Sequence, residues 1–167
     1  MDFFQLLAVP KGFGVDLTLL EANFLAASRR CHPDFVGADS QEVLLQSAMV
    51  NKAYTTLKDP LGRGEYLLRL EGGSTGESSR VVDPFVLEEI MEARGELDQN
   101  PTGGTRKNLL EMTANRMKNH QEQLLNRFRK LEFLQGLAKA DTLAEIRQTL
   151  NGLRYYQNLF RDLFQGA

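Results

Sequence analysis

Groups able to do chemistry are few in this chain, and the most suggestive set is His32-Pro33-Asp34. An imidazole and a carboxylate flank a proline that fixes its own φ and restricts the residue before it, so both polar groups are presented in one short loop at low entropic cost. One use of such a pair is general acid–base chemistry. That use needs a nucleophile motif, a phosphate-cradling glycine loop or a metal set to complete the site, and the sequence shows none of these. A second use is recognition, to which a preorganised polar loop is suited. A solvated loop with no role is the third reading of any tripeptide this short. Besides His32, the soft or nitrogen ligands are Cys31 and His120. Iron-sulfur clusters and zinc sites usually take about four ligands, so the chain is expected to bind no metal and no cofactor of its own. A lone cysteine also excludes an internal disulfide and suits a reducing cytosol.

The elements that would position the loop are helical. Leu20, Phe24, Ala27 and Cys31 recur at helical spacing after Asp16 or Thr18, with Thr18 and Glu21 forming a candidate capping box. Pro33 ends that helix near Cys31, because a residue preceding proline avoids helical geometry. Asp39 or Ser40 can cap a second helix with the stripe Val43, Ser47, Val50, Tyr54 and Leu57, and Asp59-Pro60 opens a third. The tripeptide therefore falls at the tip of a helical hairpin, which a brief apolar helix around Phe3 to Val9 precedes.

A Gly/Ser-rich run from Glu71 to Arg80 separates this part from the rest. The expected organisation is a first unit over 1–71, a linker over 72–83 and a second unit over 84–167. In the second unit Asp83-Pro84 starts a helix to about Leu97, with Val86, Ile90, Ala93 and Leu97 on its core stripe. A long helix follows from Thr105, striped by Leu110, Ala114, Met117, Gln121, Leu124, Phe128 and Leu131. A last one starts at Thr142, with Glu145 three residues on, and carries Leu143, Ile146, Leu150, Leu153, Phe160 and Phe164 along one face. No period-two pattern occurs, so the fold class is all-α, a helical hairpin with flanking helices joined to a three-helix bundle.

Charge and hydropathy exclude other classes. The chain has 167 residues, 42% of them apolar, and 20 basic against 22 acidic side chains give a net charge of −2. Such a balance provides no polyanion-binding field, so nucleic acid is not an expected partner. Arg116, Lys118, Arg127, Arg129 and Lys130 are interspersed with Glu111, Glu122 and Glu132, the pattern of a solvated, salt-bridged face, and His120 is expected to face water there. The start Met1-Asp2-Phe3-Phe4 is acidic where a secretory signal is basic, and no stretch approaches the ~20 apolar residues of a membrane span. A cytoplasmic protein without a membrane partner is expected.

The hairpin, its His32-Pro33-Asp34 tip and the basic pair Arg29 and Arg30 on the preceding helix resemble a J-domain. The segments Met1 to Phe4, Gln46 to Tyr54, Leu57 to Leu61 and Arg63 to Leu68 narrow the resemblance to J-domain co-chaperones of the HscB type, densely in the first unit and more loosely in the second. The resemblance implies an adaptor with no chemistry of its own. His32, Pro33, Asp34, Arg29 and Arg30 would engage a DnaK/HscA-type ATPase chaperone and stimulate its ATP hydrolysis, while a second face would bind an iron-sulfur cluster scaffold protein. Leu87, Glu89, Met91, Glu92 and Arg94 match that family's scaffold-binding positions, and Tyr155 matches an aromatic of the same face.

The residues give these positions a plainer reading as well. Leu87 and Met91 widen the apolar arc of their helix beyond the ~100° a bundle needs, as a wide core stripe also would. Tyr155 points away from the stripe of Ile146, Leu150 and Leu153, as single exposed aromatics often do without consequence. Four departures from the family pattern stand out: Cys31 where tyrosine is usual, Phe35 where lysine is usual, Glu88 where an apolar residue is common and Gly95 where an acid is common. A general J-domain co-chaperone with other clients is the alternative, and an enzyme using His32 and Asp34 is the rival of a different class.

Overall fold

Asp2 and Gln5 form a reciprocal capping box, the Asp2 carboxylate accepting the Gln5 amide at 2.9 Å and the Gln5 side chain accepting the Asp2 amide at 3.0 Å. This starts α1, Phe3–Leu6, in the computed structural model, which describes residues 1–31, 41–74 and 81–165. His32, Pro33, Asp34 and Phe35, the capping candidates Asp39 and Ser40, and residues 75–80 of the Gly/Ser run lie outside the described residues. Every regular element within them is helical. After α1 come α2, Leu17–Arg30; α3, Gln41–Lys58; α4, Pro60–Leu70; α5, Pro84–Gln99; α6, Gly103–Leu131; and α7, Gly136–Gln165. The chain divides into two compact units, Met1–Leu67 and Leu68–Ala167.

In the first unit α1 and α2 both pack on α3. The N-cap of α2 is Asp16, whose carboxylate accepts the amides of Thr18 and Leu19, so the Thr18–Glu21 capping box does not form. Aspartate in the extended backbone ahead of the helix reaches two orphan donors at once and takes the position. Phe24 stacks on Tyr54 with ring centroids 4.0 Å apart, fastening α2 to α3, and Leu20, Ala27, Val50, Ala53 and Leu57 of the same two helices are buried. Cys31 is half-buried rather than core, its sulfur 3.9 Å from the Gln46 side-chain oxygen. Two separated stretches meet at Phe3 and Tyr66, whose rings stack at 4.4 Å while the Tyr66 hydroxyl accepts the Phe3 amide at 2.9 Å. Buried Arg63 donates to the Leu57 carbonyl and lies over the Phe13 ring, and burial lowers its pKa.

The second unit begins within the last turn of α4. The Gly72 amide bonds the Arg69 carbonyl and the Gly73 amide the Leu68 carbonyl, with Gly72 at φ +81°: a Schellman cap. Gly73 has a steric reason too, because a Cβ there would sit 2.2 Å from a Leu68 methyl. These two glycines of the Gly/Ser run thus terminate a helix. The described ends of the 72–83 stretch are tied to α7, Arg147 donating to the Ser74 carbonyl and Asn151 to the Val81 carbonyl. Lys139 pairs with Glu71 at 3.0 Å beside them.

Helices α5, α6 and α7 pack pairwise as a bundle. Its core cluster is Val86, Ile90, Ala93, Leu109, Tyr156, Leu159 and Leu163. The α5 stripe is the one its spacing predicts, with Leu97 half-buried against it. The other two helices shift. On α6 the first turns bury Leu109 and Thr113 rather than Leu110 and Ala114, and the Thr113 hydroxyl is satisfied internally by the Leu109 carbonyl. On α7 the far end buries Leu159 and Leu163, leaving Phe164 69% exposed and Phe160 half-buried. The helix α7 also starts at Gly136, and Thr142 lies inside it with its hydroxyl on the Ala138 carbonyl. A buried threonine can satisfy itself on the preceding turn, so its presence marks a helix interior as readily as a start.

At Gly152 α7 passes close enough to α6 to oppose a side chain. A Cβ there would meet the His120 ring nitrogen at 2.7 Å and Val86 at 3.6 Å. Gly152→Ala is expected to destabilise the bundle by about 1–3 kcal/mol through overpacking, read as a lower denaturation midpoint. An unchanged midpoint would mean that His120 moves aside freely.

Candidate functional site

Arg29 and Arg30 occupy the last turn of α2, and both are exposed. Cations there complement the helix dipole and precede His32-Pro33-Asp34 in the sequence, with Cys31 between.

The second candidate surface lies on the bundle. Glu89 of α5 meets Tyr156 of α7, and Arg94 of α5 meets Asp162 of α7 at 2.7 Å. Both contacts advance along the two helices together, so α5 and α7 run in parallel. In this register Leu87 and Met91 fall opposite residues 154–159 of α7, the stretch that carries Tyr155. A step of about 100° per residue puts Leu87, Met91 and Arg94 on one stripe of α5, and Tyr155 and Asp162 on one stripe of α7. The exposed Arg94–Asp162 pair joins the two stripes. Along them Leu87 is 37%, Met91 73% and Tyr155 40% exposed. Glu88 and Glu92 are exposed on the same helix. Beside Tyr155 a groove of about 330 Å³ is lined by Val82, Asn151, Arg154 and Asn158. The Gly95 position is sterically open, with nothing within 4 Å of a Cβ, so packing does not demand a glycine there.

Glu89 differs from its neighbours. Its side chain is only 16% exposed and accepts from Arg116 of α6 through Nε, at 3.0 and 2.9 Å to the two oxygens, and through Nη2. The Tyr156 hydroxyl donates to the same carboxylate. Burial works to raise the Glu89 pKa, but the Arg116 and Tyr156 hydrogen bonds outweigh it and hold the carboxyl below its ordinary value. Burial and the bond to Glu89 push the Tyr156 phenol well up. Arg116 also lies over the Phe85 ring.

His120 belongs to this cluster and does not face water freely. It is half-buried, its Nδ1 2.9 Å from the Arg116 carbonyl and its ring edge-on to Tyr156 at 5.2 Å. The sequence reading missed Arg116, His120 and Tyr156 as a group. Tyr156 follows Leu153 by three residues, a signal of the continuing core stripe, whereas nothing local reveals that Arg116 pairs with a different helix.

Burial lowers the His120 pKa from 6.5. The folded protein then takes up this proton at a lower pH than the unfolded chain, so the contribution to stability is complete above 6.5 and is lost as pH falls below it towards the folded value. Denaturation midpoints at about pH 7.5 and about pH 5.5 are expected to differ more in the natural sequence than in His120→Gln. Equal acid sensitivity in the two proteins would remove His120 as the cause.

No helix among the described residues is long and apolar enough to cross a membrane, and no group of three or more His, Cys, Asp or Glu among them is placed to hold a metal ion.

No protein-family model matches the chain. A co-chaperone protein HscB homolog of Vibrio cholerae is 44% identical over 103 residues, covering 59% of this chain, and the matched part spans 60% of that relative's length. The homolog of Aliivibrio fischeri is 31% identical over 171 aligned residues, covering 99% of this chain and 96% of the relative. Among solved structures, that of the human co-chaperone protein HscB superposes with a TM-score of 0.83 at 28% identity, covering 99% of this chain and 82% of the human one. The helical architecture and these relatives together define a J-domain co-chaperone. The chain belongs to the HscB co-chaperone family.

Proposed function

We propose that this protein binds an iron-sulfur cluster scaffold protein, delivers it to a DnaK/HscA-type chaperone and stimulates that chaperone's ATPase, using one docking surface on each unit. Arg29, Arg30 and the His32-Pro33-Asp34 loop form the chaperone surface. Leu87, Met91, Glu92, Arg94 and Tyr155 form the scaffold surface. The observation that carries the reading is the second surface: two parallel helices bring Leu87, Met91 and Tyr155 onto one face, bordered by Glu88 and Glu92 and joined by Arg94–Asp162. Exposed apolar anchors inside a charged rim are the pattern of a protein-docking patch. The protein works in the cytoplasm, without a cofactor, a membrane or nucleic acid, and performs no reaction itself; the cluster is the scaffold's cargo.

The deciding measurement is ATP turnover by the cognate chaperone alone, with this protein, and with this protein and the scaffold together. Stimulation by the protein and further stimulation on adding scaffold are expected. Stimulation that ignores the scaffold would instead favour a general co-chaperone with other clients. ATP hydrolysis or any other turnover by the protein alone would overturn the adaptor reading.

A further inference from the structure

We infer that Glu89 is a positioning residue for the scaffold surface and not one of its docking residues. This inference rests on the docking reading above. One carboxylate from α5 receives the guanidinium of Arg116 from α6 and the hydroxyl of Tyr156 from α7, so it ties all three helices of the bundle together. Few of its roughly four lone-pair sites remain for a partner protein, and its side chain is only 16% exposed.

Its place in the helix gives the bonds their purpose. Glu89 lies two residues from both Leu87 and Met91, and at about 100° per residue a separation of two turns a side chain to the far side of the helix. The outward anchors and the inward clamp are therefore set on opposite sides of the same turns of α5. A second polar tie between α5 and α7, Arg94–Asp162, is exposed on both sides, and exposed ion pairs hold geometry weakly. A fork-shaped, charge-assisted pair such as Glu89–Arg116 fixes both distance and rotation. With it in place, the stripe of Leu87 and Met91 keeps its rotation relative to the Tyr155 stripe of α7; without it, Arg116 and the Tyr156 hydroxyl lose their shared acceptor and the rotation of α5 rests on apolar packing and the exposed Arg94–Asp162 pair.

The test is scaffold affinity, measured by calorimetry on the full chain for Glu89→Ala, Arg116→Ala and the two combined, at a temperature where circular dichroism shows each variant folded. Positioning predicts that either change weakens binding several-fold, to a similar extent, and that the combination costs no more than the worse single change. It also predicts that the exchanged pair, Glu89→Arg with Arg116→Glu, regains affinity over either of its single changes. A residue that merely stabilises the fold would lower the melting temperature and leave the affinity of folded protein unchanged, which would overturn the inference. So would a loss confined to Glu89→Ala and indifferent to Arg116, since a docking carboxylate behaves that way. Leu87→Ala with Met91→Ala is run alongside. If that pair binds normally, the docking reading fails; if it loses binding while the Glu89 and Arg116 variants keep theirs, only the positioning role fails.

Discussion

His32→Gln is expected to abolish stimulation of the chaperone's ATPase while leaving the protein folded. The expectation follows from the sequence: Pro33 restricts His32, so the imidazole is offered to a partner with little entropy left to lose, and glutamine matches neither its ring nor its donor geometry. Substitutions away from structural features usually shift stability by within about ±0.5 kcal/mol, so a circular-dichroism melt should overlay that of the natural sequence. Steady-state ATP turnover is the readout. Full stimulation by the variant would remove His32 from the chaperone surface and leave Arg29 and Arg30 as the residues to examine.

Alanine at Leu87 and Met91 together should weaken the scaffold complex at least tenfold, because about 1.4 kcal/mol corresponds to one decade and truncating an interface anchor commonly costs ~2 kcal/mol. Both side chains already reach solvent, Met91 at 73% and Leu87 at 37% exposure, so truncation opens no large internal cavity and the bundle should stay folded. Basal stimulation through the other unit is expected to survive, while the additional stimulation produced by scaffold should disappear. Unchanged calorimetric affinity in a folded double variant would make these residues ordinary surface and send the search to another face.

Local signals in the sequence determined the helical class and most helix starts. Asp59-Pro60 and Asp83-Pro84 open helices where they stand, since aspartate accepts an orphan amide and proline lacks a donor that would go unpaired. The stripe Val86, Ile90 and Ala93 is buried as its spacing requires. The tripeptide His32-Pro33-Asp34 stands in the sequence as a motif and lies outside the described residues. Where two adjacent residues were both acceptable on a stripe, as with Leu109 and Leu110 or Leu163 and Phe164, periodicity could not choose, because one residue is only about 100° of helix rotation and the partner helix decides which side faces in. Thr142 resembled a helix start for a related reason: capping and self-satisfied burial use the same hydroxyl.

The geometry of the face proposed for docking was half legible. That Leu87 and Met91 project beyond the core arc follows from spacing alone, but their placement opposite the stretch of α7 that carries Tyr155 depends on the parallel register of α5 and α7, which is set by contacts between residues far apart in the chain. Glu89 marks the limit most sharply. In sequence it is one more acid among Glu88 and Glu92; in the folded bundle it turns inward to Arg116 and Tyr156, while its neighbours remain in water. Local spacing determines which way a side chain leaves its own helix, but only the packing of three helices decides what it finds there, because the free energy of a carboxylate depends on the charges and donors that tertiary structure brings to it.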